Sequence, residues 1–285
     1  MKKLGFFICV MLLLGYVAVK TTAYYQQKSE ITLGDYENQG MSLKGSKTVT
    51  QDQVYQGDLL LVNKDYPVQQ EGVKSDIVNL FKQKDLIQGY VLLDHNTLLS
   101  KHVAQEFQKM IEVAGKEGVN RFLISSGYRD FEKQDKLYEE MGSAYALPAG
   151  YSEHNLGLSL DVGSTQTKMS KADEGKWLKK NAWKYGFILR YPKDKIEITG
   201  IQYEPWHFRY VGLPHSAIMQ ESNLVLEQYL DFLKEKKSIS AVVEGEEYNV
   251  SYYSVSKKTI LKVPENGPYE ISGNNIDGVI VTVKK

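Results

Sequence analysis

Residues 152 to 163 read SEHNLGLSLDVG, and within them Leu156, Leu158, Leu160 and Val162 alternate with Gly157, Ser159 and Asp161. Strict alternation describes a strand with one face in a core, so the leucines go inward and Asp161 turns to a site or to solvent. His154 precedes the strand, and Gly157 permits the backbone bend that brings its ring to the side where Asp161 emerges.

A second stretch, EPWHFRYVG (204 to 212), alternates in the same manner. Trp206, Phe208 and Tyr210 form an aromatic face expected to pack inward, while His207 and Arg209 point the other way. Pro205 interrupts the ladder and fixes the backbone, so the Glu204 carboxylate can turn toward the side of His207. Two imidazoles and one carboxylate make a tetrahedral zinc site with an open fourth position. Glu204 beside it suits a general base, because such a metal lowers the pKa of its water to about 7. Either histidine alone would pass for an ordinary surface or core residue. It is their joint company with carboxylates that points to a metal. Of the 5 histidines, His95, His102 and His215 lack that company and are expected to be solvated or capping.

The chain of 285 residues suits one main domain with an accessory piece. Its single cysteine, Cys9, lies in an apolar run, which excludes an intramolecular disulfide and a cysteine metal cluster. Lys2 and Lys3 followed by the apolar run Leu4 to Val19 predict a signal peptide or membrane anchor over 1–23. The run is somewhat short of the roughly 20 residues that span a bilayer, so cleavage and anchoring both stay open. Residues 24–56 are polar and without sustained period, which predicts a flexible linker. The main domain is expected over 57–236. It begins with a short strand in GDLLLVNKDYPV (57 to 68), then a helix over 100–118 capped by Ser100 and stopped by Gly118. A strand over 121–129 runs into a second helix capped by Asp130. A third helix spans about 171–185, opened by Ser170 and closed by Gly186, before FILRYP returns as a strand. A helical stretch follows Pro214. From 237 to 285 the pattern is alternating and β-branched, which predicts a small C-terminal β appendage.

With 35 Lys+Arg against 35 Asp+Glu there is no net charge, and nothing suggests a nucleic-acid partner.

Three stretches, SSGYRDFEKQ (125 to 134), SEHNLGLSLDV (152 to 162) and EPWHFRYVG (204 to 212), in this order and spacing, resemble the VanY-type D-alanyl-D-alanine carboxypeptidases. These are zinc peptidases of the bacterial cell wall, related in fold to the VanX dipeptidases and the hedgehog signalling domain, in a family connected with glycopeptide resistance. The resemblance covers about residues 57 to 232. It implies an α+β fold, a hedgehog-like zinc domain with a central antiparallel sheet. Its Ser-x-His-x-x-Gly-x-x-x-Asp pattern falls on Ser152, His154, Gly157 and Asp161, and its Glu-x-x-His pattern on Glu204 and His207. One Zn²⁺ ion would thus be held by His154, Asp161 and His207, with Glu204 as the base. The Ser-x-Gly-Tyr-Arg turn supplies Arg129, to stabilise the oxyanion or hold the substrate's C-terminal carboxylate. Ser126, Gln134 and Ser152 are candidate substrate contacts. Chemistry agrees on Arg129, since a guanidinium offers a planar, permanently charged fork for a carboxylate.

The expected activity is hydrolysis of the terminal D-Ala of peptidoglycan stem peptides, by a chain that is extracytoplasmic, anchored or secreted, and associated with the wall. An uncleaved N-terminal segment would give membrane contact. L,D-carboxypeptidase or endopeptidase action on the same peptides stays open, as does a non-catalytic zinc-containing wall-binding module.

Overall fold

The computed structural model describes residues 31–35, 43–142 and 147–285, so the expected signal or anchor segment lies outside the described residues. Among them no helix is long and apolar enough to cross a membrane.

In chain order the elements are β1 (Ile31–Asp35), β2 (Gly45–Val49), β3 (Ile77–Asn79), β4 (Tyr90–Leu92), β5 (Leu98–Ser100), α1 (Lys101–Lys116), β6 (Phe122–Ser126) and α2 (Phe131–Met141). Then come β7 (Ser159–Ser164), α3 (Asp173–Asn181), β8 (Phe187–Leu189), α4 (Ile196–Thr199), β9 (His207–Tyr210), α5 (His215–Glu221) and α6 (Leu226–Lys236). The remainder is β10 (Ser238–Val243), β11 (Glu246–Ser254), β12 (Thr259–Val263), β13 (Tyr269–Gly273) and β14 (Gly278–Lys284). The fold is α+β, as expected.

The central sheet has the order β4-β6-β7-β9-β8. It is antiparallel, as expected, apart from the one pair β4 and β6, which runs parallel. Leu158, Leu160 and Val162 are fully buried in one core with Val103, Phe107, Met110 and Ile111 of α1. That helix starts where Ser100 accepts a hydrogen bond from the Val103 amide at 3.3 Å. The strand of the opening motif is shorter than its alternation suggested. Leu156 and Leu158 are buried ahead of β7, and His154 sits in a 3-10 turn, Glu153–Asn155.

Residues 24–56 are not simply a linker. β1 pairs with β10 and β2 pairs with β12, so this stretch contributes strands to the C-terminal region. Short edge strands with polar outward residues carry too little apolar alternation to register in the sequence. The strand expected within 57–68 is also absent. Leu59, Leu60, Leu61 and Val62 are buried, but the Leu61 amide donates to Asn274 O and the Asp58 and Leu60 carbonyls accept from Arg209, so the backbone groups are satisfied without a ladder. The third helix has Ala172, not Ser170, at its N-cap, and it passes through a 3-10 turn (Ala182–Tyr185) into Gly186 at φ +81°. The helical stretch after Pro214 divides into α5 and α6.

The C-terminal sheet, β1-β10-β11-β14-β13, packs on α5 and α6 in a second core in which Leu226, Tyr229 and Leu230 meet Ile239, Ala241 and Val250. His215, expected to be solvated or capping, is buried between the Tyr229 hydroxyl at 2.7 Å and the Thr282 hydroxyl at 2.9 Å. Burial pulls its pKa down to about 3. A base with a depressed folded-state pKa favours folding fully above its unfolded value and loses that stability as pH falls. The wild-type chain should therefore lose stability between about pH 6.5 and 3, with a slope contribution of about 1.4 kcal/mol per pH unit from this group. In urea melts at pH 7.5 to 4, His215→Gln should be less stable at neutral pH and show a shallower acid slope; equal slopes would remove His215 from the account.

Candidate active site

The two histidine stretches meet because β7 and β9 are adjacent antiparallel strands whose register places Asp161 directly opposite His207. On the other side of β7, a register shift between Ile124 and Ser126 marks a bulge in β6, and Ser126 comes opposite Asp161. Bulges kink a strand and re-aim its side chains, here toward the turn Gly127-Tyr128-Arg129.

Gly127 is required at that turn, since a Cβ there would lie 2.2 Å from Leu98 O. Its carbonyl lies 2.6 Å from His154 Nδ1, which fixes that nitrogen as the donor and leaves Nε2 as the lone pair. His154 Nε2 is then 3.4 Å from Asp161 Oδ2. The 3-10 turn that carries His154 is held by Ser152 Oγ, which accepts from the His154 amide at 3.3 Å, and by buried Asn155, which donates to Arg129 O at 2.7 Å. Gly157 behaves as its position implied. It has φ +84°, and a Cβ would fall 2.4 Å from Ile77 Cδ1.

His207 approaches Asp161 from the opposite side, its Nδ1 lying 3.3 Å from Oδ1. Glu204 reaches it through the turn Glu204-Pro205-Trp206-His207, closed by the His207 amide donating to Glu204 O at 3.2 Å. Proline suits the second position of such a turn. The Glu204 carboxylate ends 3.7 Å from His207 Nδ1.

The charges are strongly perturbed. Burial alone would raise Asp161, but His154 and His207 hold it well below the usual carboxylate range. Burial and the Arg129 charge bring His154 down to about 4, so it is neutral. Burial works against His207 as well, yet the neighbouring Asp161 and Glu153 carboxylates raise it to about 9. Burial lifts Glu204 to about 7, only partly offset by His207. A divalent cation beside these groups would draw protons off both His207 and Glu204.

These residues fit a metal. One ligand atom from each of His154, Asp161 and His207 can be chosen so that all lie within 4.8 Å of one another. Asp161 Oδ1 is buried without a hydrogen-bond partner among the described residues, an expensive state for a carboxylate unless a cation meets it. Two imidazoles with a carboxylate are a zinc donor set.

Arg129 closes the other side. Its Nε donates to Gln134 Oε1 at 2.9 Å, Nη1 to Ser126 Oγ at 3.1 Å and Nη2 to Ser152 Oγ at 3.4 Å, and Nη1 stands 3.9 Å from Asp161 Oδ2. Gln134 is buried, lines the cleft and donates its amide to Leu147 O at 2.6 Å, so both of its polar groups are engaged, the oxygen with Arg129. Ser126 and Ser152 likewise turn their hydroxyls to the guanidinium. Trp206, expected in the core, is 38 % exposed and lines the cleft of about 120 Å³ over these groups, because it belongs to the turn and β9 begins only at His207.

The structure adds Glu153 and Arg190, buried behind the cleft, and Tyr191 and Leu137, which line it. Tyr191 has its ring centroid 4.9 Å from that of His207, and Leu137 lines the cleft. Glu153, inside the SEHNLG motif, carried a signal: a charged residue flanked by the Ser and His of a site motif.

The family model for D-alanyl-D-alanine carboxypeptidases, VanY, matches residues 96–213. A D-alanyl-D-alanine carboxypeptidase of Enterococcus faecium is 61% identical over 292 residues, covering 99% of this chain and 96% of that one. The chain belongs to the VanY family of zinc D-alanyl-D-alanine carboxypeptidases. Among solved structures, the D,D-dipeptidase VanXYg in complex with a D-Ala-D-Ala phosphinate analogue superposes with a TM-score of 0.75 at 34% identity, over 85% of this chain and 99% of that one. A vancomycin-resistance D,D-pentapeptidase VanY mutant in complex with Zn(II) gives 0.51 at 30% identity, over 61% of this chain and 98% of that one. The VanY zinc fold and a zinc centre thus agree with the geometry.

Substituting Gly127→Ala should destabilise the protein by about 1–3 kcal/mol, because the overlap is with backbone that cannot rotate away. Urea denaturation measures this; an unchanged midpoint would show that the turn can relax.

Proposed function

We propose that this chain is a zinc-dependent D,D-carboxypeptidase that removes the terminal D-Ala from peptidoglycan stem peptides ending in D-Ala-D-Ala, with one zinc ion held by His154, Asp161 and His207. The observation that carries the reading is that Glu204 and Arg129 share one cleft with that triad. A zinc ion bound there supplies Lewis-acid polarisation and a water of lowered pKa.

The remaining work belongs to the chain. Glu204, whose carboxylate lies 3.7 Å from His207 Nδ1 in the same cleft, is placed to accept the proton of the attacking water and to return it to the departing D-Ala nitrogen. Arg129 keeps guanidinium N–H groups beyond those bound by Gln134, Ser126 and Ser152, and these face negative charge on the substrate, either the terminal carboxylate or the oxyanion. Ser126, Gln134 and Ser152 act through Arg129. Residues 57–236 are the catalytic domain in this reading, and 237–285 an accessory β unit completed by β1 and β2. The N-terminal segment 1–23 directs the chain out of the cytoplasm as a signal or anchor, which gives access to the wall.

Mass spectrometry of a synthetic stem pentapeptide treated with zinc-loaded protein should show a tetrapeptide and free D-Ala. A tripeptide from a tetrapeptide, or an internal cut, would replace the D,D assignment with L,D or endopeptidase action, and no cleavage at all would favour a binding module. Glu204→Gln should lower kcat by about 10²- to 10⁴-fold while retaining zinc; an unchanged kcat removes the base. Arg129→Lys should raise KM and lessen the preference for a free over an amidated C-terminus, as read from paired kinetics on the two peptides. An unchanged preference would assign the carboxylate to another group.

A further inference from the structure

Beneath the metal-site residues lies a charged cluster that the reaction as described does not use. Glu153, Arg190 and Arg209 all have side chains with 0% exposure. Glu153 Oε1 accepts from Arg190 Nε at 2.8 Å and from Arg209 Nη1 at 2.9 Å. Glu153 Oε2 accepts from Ser159 Oγ at 3.1 Å and stands 3.4 Å from His207 Nε2. Arg190 continues outward to Glu227 on α6, with Nη1 at 2.9 Å and Nη2 at 2.7 Å from its two oxygens.

Packing does not account for this arrangement. Buried ion pairs replaced by apolar side chains of similar volume often leave a protein as stable or more so, so stability is a weak reason for charges here. An apolar side chain could not accept a proton from an imidazole. A neutral imidazole has one N–H and one lone pair, and an acceptor held at Nε2 places the lone pair on Nδ1. Nδ1 is the atom that His207 turns to Asp161 and Glu204. His154 has the equivalent device in the Gly127 carbonyl, with the nitrogens reversed.

We infer that Glu153 is a positioning residue that selects the metal-binding nitrogen of His207, and that Arg190 and Glu227 carry this control to α6, so that the helix supporting the C-terminal sheet helps to set zinc affinity. The inference rests on the reading of His207 as a zinc ligand. Arg190 anchors Glu153 from one side and Glu227 from the other, so freeing Arg190 from Glu227 loosens the carboxylate under His207. Acceptors that orient ligand imidazoles typically change metal affinity about 10- to 100-fold when removed.

Zinc dissociation constants of the full chain, measured by competition with a chromophoric chelator, test this in the wild type and in Glu153→Gln, Glu227→Gln and His154→Ala. Circular dichroism establishes which variants are folded. Glu153→Gln should weaken zinc binding about 10- to 100-fold, and much of its lost activity should return as zinc is raised. Glu227→Gln should weaken binding in the same direction by a few-fold. A folded Glu153→Gln chain with the wild-type constant overturns the positioning role. Should that variant not fold, Glu227→Gln decides, because Glu227 lies at the partly exposed end of the cluster: an unchanged constant there overturns the proposal. His154→Ala separates the two levels. If it keeps zinc, the ligand reading itself fails; if it loses zinc while Glu153→Gln binds normally, only the present inference fails.

Discussion

The pairing of Asp161 with His207 across two central strands is the constraint from which the rest of the site follows. It joins segments far apart in sequence, and it puts a carboxylate and an imidazole on the sheet face opposite the leucine core. The neighbours then have defined tasks. β6 must bulge to bring Ser126 beside Asp161. The Gly127 turn must bend to offer its carbonyl to His154. The proline turn must close so that Glu204 reaches the same point. Each is a local departure from regular strand geometry, grouped around a regular strand pair.

The site is built as two layers of opposite character. Toward the cleft are groups with unmet capacity: Asp161 Oδ1, with no hydrogen-bond partner among the described residues, and a guanidinium only partly engaged. Beneath them is a layer in which polar atoms are matched. There Glu153 is held far below the usual carboxylate range by Arg190 and Arg209, against its own burial. A satisfied lower layer makes the upper one rigid, which is what fixed dipoles around a reaction require.

Much of this was legible in the sequence because its carriers are local. The alternation of Leu156 to Val162 located the core face, Gly157 announced a bend that only glycine accommodates, and Asp130 announced a helix start where its side chain does accept from the Lys133 amide at 2.7 Å. Other features depend on where the chain returns to itself. The roles of Gln134 and Ser152 could not be read, because a polar side chain looks alike whether it faces a ligand or an arginine. His215 looked ordinary because its partners, Tyr229 and Thr282, come from a helix and a strand later in the chain. Trp206 reads as a core residue because alternation continues through EPWHFRY, although the strand begins only at His207. The edge strands in 24–56 leave no local mark because their partners, β10 and β12, lie about 200 residues further along the chain.

The strand order of the C-terminal sheet has an effect on how the protein comes to exist. β14, the last strand of the chain, lies inside the sheet between β11 and β13, and β1, near its beginning, forms the opposite edge against β10. Contacts between such distant segments close large loops and form late. The sheet therefore cannot be assembled strand by strand as the chain is made. β1 has no partner in the sheet until β10 arrives, and β11 and β13 lack their common neighbour until β14 enters between them. Without β14 the edge of β11 would lie open and β13 would have no partner in this sheet, so the integrity of the whole unit hangs on one interior strand.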